Sequence, residues 1–307
     1  MKKVIIFCAF TASALLFHPL KAQDDLLLLL ENGQEKEKNE KVTATFKTTK
    51  VISAQTIETV KKRTLDFRIT HRFGNIGTKS NGGAHTLWGF DTSEDIRFSF
   101  DYGITDRLQV GVGRSKMKEH LDGSVKYRIL EQTKSNSMPI SMALYSLMAY
   151  TPVKDVDDYY KKTEYRLSYT FQAIIARKFG KRFSFEVLPT LVHRNYVTAF
   201  VNAANGAEET NDIFALGVGG RLKLTRRTVL IADYFYNFSD FRINNVDMAH
   251  YNPLAIGIEI ETGGHVFHMN LTNASGIIEN HFIPNTRDTW TKGGYKMGFN
   301  ISRVFNI

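Results

Sequence analysis

Residues 295–307 alternate between large apolar and polar side chains. One parity carries Tyr295, Met297, Phe299, Ile301, Phe305 and Ile307, and the other carries Lys296, Gly298, Asn300 and Ser302. Such a strand presents one face to lipid and one to water, whereas a soluble edge strand with so many exposed apolar groups would aggregate. Arg303 interrupts the apolar parity, and the last residue is Ile rather than the commoner Phe. The pattern predicts a membrane-spanning strand.

Period-two alternation continues upstream, in segments rich in β-branched and aromatic residues that indicate strands rather than helices. In 96–103, for example, Phe98 and Phe100 oppose Arg97 and Ser99. The predicted strands are 64–73, 96–103, 107–115, 123–131, 139–150, 164–177, 182–193, 212–223, 228–238, 253–261, 265–273 and 293–307.

The connections between these segments alternate in length. Short turns such as 103–107, 178–182 and 224–227 are interspersed with longer polar segments such as 74–95, 151–163 and 194–211. Barrels of the outer membrane have short periplasmic turns and long external loops. The sequence therefore predicts an all-β fold: a transmembrane antiparallel up-and-down β-barrel of about 12 strands, with both ends periplasmic and a short N-terminal periplasmic or plug segment.

The N-terminus predicts export. Lys2 and Lys3 precede an apolar run that ends at Phe17, and cleavage is expected after Ala22. The run is too short for the ~20 residues of a helical span. Removing residues 1–22 deletes three lysines and no acid, so the net charge falls from +9 to +6. It also removes Cys8, the only cysteine, which excludes disulfides and thiolate sites from the mature chain.

Three regions are expected along the chain: a signal peptide (1–22), a leucine-rich and charged extension (23–62) and the barrel (63–307). Within the extension, residues 42–62 are β-prone but irregular. Two arrangements are open for them, a periplasmic extension or a plug folded into the lumen.

Several stretches resemble a family of uncharacterised outer-membrane β-barrel proteins from Bacteroidota. They include LDFRITHRFG, DYGITDRLQVGVGRS and IGIEIETGGHVFHMNLTNASG, and the resemblance covers about residues 40–307. It implies a single barrel in a Gram-negative outer membrane. It implies no activity and transfers no catalytic or ligand-binding residue.

The charged residues of the polar parity are candidates for lining the lumen. Seven are cations and five are anions: Arg97, Lys126, Arg128, Arg166, Arg221, Lys223 and Lys296, with Asp101, Glu186, Asp233, Glu259 and Glu261. An open lumen with this balance would weakly prefer anions. Alternatively, mutually paired charges fill a small lumen, and about twelve strands lie between filled eight-stranded barrels and open sixteen-stranded porins. The second arrangement is favoured.

Catalytic and metal chemistry find little support. His265 and His268 are three residues apart, which places them on opposite faces of a strand. Ser115 near His120, and Ser275 near His268, lack the third group that orients a catalytic pair. The sequence therefore predicts no enzyme activity, no cofactor and no metal.

The expected function is a passive pore or transporter for small solutes in the outer membrane. The alternatives are a closed structural barrel that binds a surface or periplasmic partner and, third, a lipid-modifying enzyme. The expected partners are outer-membrane lipid, lipopolysaccharide and the barrel-assembly machinery, without nucleic acid and with a monomeric barrel.

Overall fold

The computed structural model describes residues 39–77, 83–155 and 159–307. The predicted signal peptide and the leucine-rich start of the extension lie outside these ranges. Twelve antiparallel strands form one closed barrel in which each strand pairs with its sequence neighbours and the last pairs with the first. The strands are β1 (Thr64–Asn75), β2 (Ser93–Gly103), β3 (Leu108–Ser115), β4 (Leu121–Leu130), β5 (Ser141–Tyr150), β6 (Leu167–Phe179), β7 (Phe183–Arg194), β8 (Asp212–Lys223), β9 (Thr228–Phe238), β10 (Leu254–Glu261), β11 (Val266–Thr272) and β12 (Lys296–Asn306).

The sequence prediction of an all-β up-and-down barrel is confirmed. All twelve predicted strands are present, and each boundary lies within three residues of its predicted position. The largest corrections, of three residues each, are at three starting points, one of which is β2, because it begins at Ser93 rather than at residue 96. β6 begins at Leu167 because residues Thr163–Arg166 form a short 3-10 helix, and β12 begins at Lys296 after another such turn, Trp290–Lys292.

Side chains alternate across the barrel wall as the sequence requires. On β2, Phe98 and Phe100 are exposed outward while Arg97 and Ser99 are buried inward. On β10, Ile256 and Ile258 are exposed. This alternation puts the apolar parity toward lipid, because successive side chains of a strand point to opposite faces.

The inward-facing surface has two chemically distinct halves. The inner face of β10–β12 and β1–β4, here the polar half, carries mainly charged and amide side chains, such as Arg68, Arg72 and Asn300. The inner face of β5–β9, the apolar half, carries many apolar side chains: Ala143, Leu147, Ala149, Ile174, Ala176, Leu188, Val192, Ile213, Ala215, Val229, Ile231 and Phe235. The apolar half still contains single polar groups, among them Glu186 and Asp233.

The segment between β11 and β12 contains an α-helix, α1 (Glu279–Asn285), of which five residues are buried. Its apolar side chains, including Phe282 and Ile283, belong to the same buried cluster as the apolar half of the wall. Among the described residues, no helix has the length and apolar character needed to cross a membrane.

Candidate functional site

Residues 41–62, here called the plug, run inside the barrel. The tip of the plug is a narrow hairpin in which the Val51 N–H donates to the Ala54 carbonyl and the Thr56 N–H donates to the Thr49 carbonyl, both at 2.9 Å. The Thr56 hydroxyl also donates to the Thr48 carbonyl, at 2.6 Å. Local hydrogen bonds of this kind satisfy the backbone where no neighbouring strand is available.

One carboxylate of the wall holds the tip of this hairpin. Asp233 Oδ2, on β9, accepts hydrogen bonds from the backbone N–H groups of Ile52, Ser53 and Ala54 at 3.0, 2.7 and 3.0 Å. Hydrogen bonds to an ionised acceptor are shorter and stronger than neutral ones. Asp233 therefore compensates three backbone donors that would otherwise be buried without partners.

One ammonium group holds the carbonyl side of the plug. Lys126 Nζ, on β4, donates to the carbonyls of Thr49 and Thr56 at 3.0 Å and of Glu58 at 3.3 Å. Lys126 is completely buried. An anion on β9 and a cation on β4 thus hold N–H and C=O groups of the same segment.

Three further contacts connect the plug to the polar half. Asn300 Nδ2 donates to the Ile52 carbonyl at 3.1 Å, and Arg68 Nη2 donates to Thr49 Oγ1 at 2.9 Å. Gln109 Oε1 accepts the Val60 N–H at 3.0 Å. Because these partners lie on β12, β1 and β3, while Lys126 and Asp233 lie on β4 and β9, the plug crosses the lumen from wall to wall.

Helix α1 occupies the lumen from the other end. Its Asn280 donates a hydrogen bond from Nδ2 to the Ser168 hydroxyl and accepts one at Oδ1 from the Thr170 hydroxyl, both on β6. The Phe282 ring packs edge-on against Phe235 of β9 at a centroid distance of 5.1 Å. The apolar side chains of the helix and those of the apolar half are therefore buried against each other.

The plug and α1 also meet directly. Glu279 Oε1, at the start of α1, accepts a hydrogen bond from Gln55 Nε2 at 3.1 Å and lies 3.5 Å from Lys50 Nζ. The lumen is thus filled by two segments of the chain that contact each other at its centre.

Several of the predicted lumen residues form buried ion pairs. Arg97 binds the Asp122 carboxylate with both terminal nitrogens, while Arg221 binds Glu259 at 2.8 Å and Glu261 at 3.0 Å. Burial is tolerable for such charges because each has a partner.

Lys296 connects the wall to the loop beyond α1. Its Nζ donates to Asp288 and, at 2.8 Å, to Asn75 Oδ1. Lys296 is buried, although Asp288 at the loop is about one third exposed.

Four of the predicted residues lie near the strand ends or in partly buried positions. Arg128 donates to the Asp106 carbonyl at 2.7 Å and lies 3.8 Å from Glu58 of the plug. Arg166 precedes β6, and its guanidinium donates to the carbonyls of Thr151 and Val153 in the adjacent loop. The other two are Lys223, the last residue of β8, and Asp101, which faces Gly111 across the β2–β3 pair.

Glu186 is fully buried, and neither of its carboxylate oxygens has a hydrogen-bond partner in the described part of the chain. Gly219 stands opposite it on β8, where an added Cβ would lie 2.8 Å from Glu186 Oε1. Gly217 likewise leaves room for the Phe235 ring, which an added Cβ would approach to 2.5 Å. These β8 glycines therefore make space for side chains inside the lumen.

Several residues outside the predicted lumen-lining set hold the plug or pair inside the wall. Arg68 and Asn300 bind the plug, Asp122 pairs with Arg97, and His268 Nε2 lies 3.3 Å from Glu259 Oε2. The signal was present, because Arg68 and Asn300 occupy the polar parity of their strands. The predicted lumen-lining residues are all charged, and none of them lies on β1.

The serine and histidine pair that was set aside as a catalytic site, Ser115 and His120, is not assembled into one in the described part of the chain. Ser115 is buried, its hydroxyl lies 3.5 Å from Arg97 Nη1, and Nδ1 of His120 has no hydrogen-bond partner among the described residues. Within the described ranges, no group of three or more His, Cys, Asp or Glu residues is arranged to hold a metal ion.

Several solved structures resemble the chain at very low identity. The NanC porin is 8% identical with a TM-score of 0.46, and covers 79% of this chain and 99% of its own. An outer membrane channel from Pseudomonas putida F1 is 13% identical with a TM-score of 0.43, covering 81% and 98%. LpxR from Salmonella typhimurium is 9% identical with a TM-score of 0.36, covering 80% and 100%.

No curated protein matches the chain significantly. Residues 46–305 match the family described as membrane bound beta barrel domain (DUF5777). The matched range includes most of the plug and nearly all of the barrel. The chain therefore belongs to this family of membrane-bound β-barrel domains.

Proposed function

We propose that the protein is a channel of the outer membrane for small polar solutes, closed at rest by its own plug. The observation that supports this proposal is the way in which the plug is held: by Asp233, Lys126, Asn300 and Arg68, through hydrogen bonds and charges. Residues 1–22 are proposed to be a removed signal peptide, and the barrel to be a monomer that contacts lipopolysaccharide.

A polar contact between plug and wall is suited to reversible closure. When the plug moves away, water can take over the hydrogen bonds of both surfaces, so each bond has a net value of only about 0.5–1.5 kcal/mol, or about 1.5–3 kcal/mol where a charge takes part. The wall groups released by such a movement are Arg68, Lys126, Asp233 and Asn300, which favour water and polar solutes.

The apolar half favours a second candidate function, a permanently closed barrel that binds a partner. Phe46, Val51, Ile52 and Ile57 of the plug are buried in the same cluster as the apolar half. Fully exposing large apolar side chains costs about 1.5–3 kcal/mol each. Complete withdrawal of the plug is therefore expensive, and the channel proposal requires the hairpin tip to shift while Phe46 and Ile57, outside the tip, stay packed.

Solute flux into liposomes distinguishes the two candidates. The double variant Asp233→Asn with Lys126→Met weakens the hold on the hairpin from both sides, so the channel proposal predicts faster flux than in the wild-type chain. A matched control is Asp212→Asn with Lys223→Met, at the two ends of β8, where the described contacts are with His193 and Arg182 of the wall. If verified insertion of the plug variant gives no more flux than the control, the closed barrel is the better account.

A further inference from the structure

A cavity lies at the rim of the barrel, apart from the plug. It has a volume of about 240 Å³ and is formed where the segment between β9 and β10 packs against α1. Its lining includes Tyr236, Asn237, Arg242, Asn244, His250 and Tyr251. Ile283 of α1 adds an apolar surface to the same cavity.

The neighbouring backbone fixes the orientation of one amide in this cavity. The Asn237 Nδ2 donates to the Ile283 carbonyl at 3.0 Å, and the Asn237 backbone N–H donates to Asn252 Oδ1 at 3.0 Å. The Asn237 Oδ1 is buried and has no hydrogen-bond partner in the described part of the chain. This oxygen is closed off from the cavity, so the Asn237 amide fixes the cavity wall and is not itself a ligand contact.

The one arginine of the cavity is already neutralised. Arg242 binds both carboxylate oxygens of Glu209 at 3.0 Å, and its remaining donors reach Ser239 Oγ and the Pro284 carbonyl. Its five donors are thus largely used. The guanidinium joins the segments that surround the cavity. Because Glu209 neutralises its charge, little positive charge remains for an anionic ligand.

The histidine of the cavity is also uncharged at neutral pH. Burial, with the nearby Arg242 charge, lowers the pKa of His250 to about 4. Its Nδ1 lies 2.7 Å from the Met248 carbonyl, which can only accept a hydrogen bond. Nδ1 therefore carries the hydrogen, and Nε2 is an acceptor.

We propose that this rim cavity binds one uncharged pyranose ring, either as a free sugar or as part of a lipid-linked glycan. The His250 Nε2 acceptor and the Asn244 amide of the lining match sugar hydroxyl groups, while Tyr251 supplies aromatic surface and Ile283 apolar surface for the C–H faces of the ring. The volume lies below the ~300–1,000 Å³ typical of drug-sized ligands, which suits a single ring.

Ligand-detected NMR on the mature chain, in a detergent without a sugar headgroup, tests the proposal. The probes are glucose, galactose, mannose and N-acetylglucosamine, with glucuronate as an anionic comparison. At least one neutral sugar is expected to bind saturably, with a Kd of about 1 mM. Tighter binding of glucuronate than of every neutral sugar, or no saturable binding to folded barrel, would overturn the proposal.

The decisive variant is Asn244→Gly. Asn244 has a φ of 50°, in the left-handed region that glycine adopts without strain, so the change removes the amide and preserves the backbone. We expect binding to weaken about tenfold, which corresponds to about 1.4 kcal/mol. Tyr251→Leu, which removes an aromatic wall, should weaken binding similarly.

The matched control is Asn136→Gly, the same substitution at a φ of 60° in the turn between β4 and β5. It should bind sugar like the wild-type chain, and equal binding by Asn244→Gly and Asn136→Gly would contradict the assignment. Competition by vesicles with and without lipopolysaccharide distinguishes a lipid-linked ring from a free sugar. None of these readouts depends on conductance, so they remain informative if the channel proposal fails.

Discussion

The polar and apolar halves of the inner wall hold the same two segments by different means. On the polar half, Asn300 and Arg68 bind the plug through directional hydrogen bonds. On the apolar half, Phe235 packs against Phe282 of α1 within a continuous buried cluster. Hydrogen bonds can be exchanged for water at small net cost, whereas apolar burial is lost outright. The difference assigns movement to the hydrogen-bonded plug, including its contact with Asp233 of the apolar half, and permanence to the packing of α1 against the apolar half.

Truncating the apolar contact should have the largest effect. Phe235→Ala removes a fully buried ring that contacts Phe282, so we expect a loss of about 3–5 kcal/mol in the free energy of unfolding. Denaturant titration of micelle-embedded protein measures it. The control is Phe238→Ala on the same strand, at a side chain that faces outward and is 57% exposed. Equal losses in the free energy of unfolding for the two variants would show that the contact between Phe235 and Phe282 does not stabilise the barrel.

Removing the carboxylate at the hairpin tip should loosen the plug more than the barrel. Asp233→Ala leaves three backbone N–H groups without their acceptor, at about 1–3 kcal/mol for each donor that stays buried and unsatisfied. Hydrogen exchange at Ile52, Ser53 and Ala54 should therefore accelerate by at least tenfold. Asp212→Ala, at the rim, should leave these amides unchanged. Undiminished protection in Asp233→Ala would show that the carboxylate does not hold the tip.

Lowering the pH should weaken the packing of α1 gradually, by less than the two substitutions above. The rings of His120 and His281 lie 6.3 Å apart, and burial lowers the pKa of His120 to about 4 and of His281 to about 3. Lys118 disfavours protonation of both rings, while Asp122 favours that of His120. Because the opened state regains a pKa near 6.5, it binds more protons, and stability falls as pH decreases from about 6.5 toward 4.

Hydrogen exchange of residues 279–285, corrected for the intrinsic pH dependence of exchange, measures this opening. Exchange should rise between about pH 7 and pH 4.5. His281→Gln, which does not titrate, should reduce the rise. A rise that is identical in the variant would assign the pH dependence to other groups.

The sequence predicted the wall because alternation is a local property of each strand. Arg97 and Phe98 reveal their faces by parity alone, and the same parity extends to Arg68 on β1. The start of β6 was wrong by three residues because Tyr165 and Arg166 continue the alternation inside a 3-10 helix. That helix is fixed by contacts of Arg166 with the carbonyls of the neighbouring loop, and parity does not report such contacts.

The filling of the lumen could not be predicted from local pattern. Ile52 and Asp233 are 181 residues apart in the chain, and nothing in the segment 42–62 indicates its distant acceptor. The apolar half did leave a signal. The sequence TVLIADYF of β9 is nearly continuously apolar, a pattern typical of strands buried on both faces. The apolar spacing of Ile278, Phe282 and Ile283 is likewise typical of a buried helix, which the structure has between β11 and β12.

Tethering the plug to the polar half tests the central claim most directly. In the Asp233→Asn, Lys126→Met background, Thr49→Cys and Arg68→Cys replace two side chains that contact each other at 2.9 Å. A short, reductively cleavable thiol crosslinker joins them, and a chain expressed from residue 23 carries no other cysteine, because Cys8 is the only one in the sequence. The account predicts that crosslinking suppresses solute flux and that reduction restores it. Unchanged flux through the crosslinked barrel, or no flux in any form after verified insertion, would contradict the account.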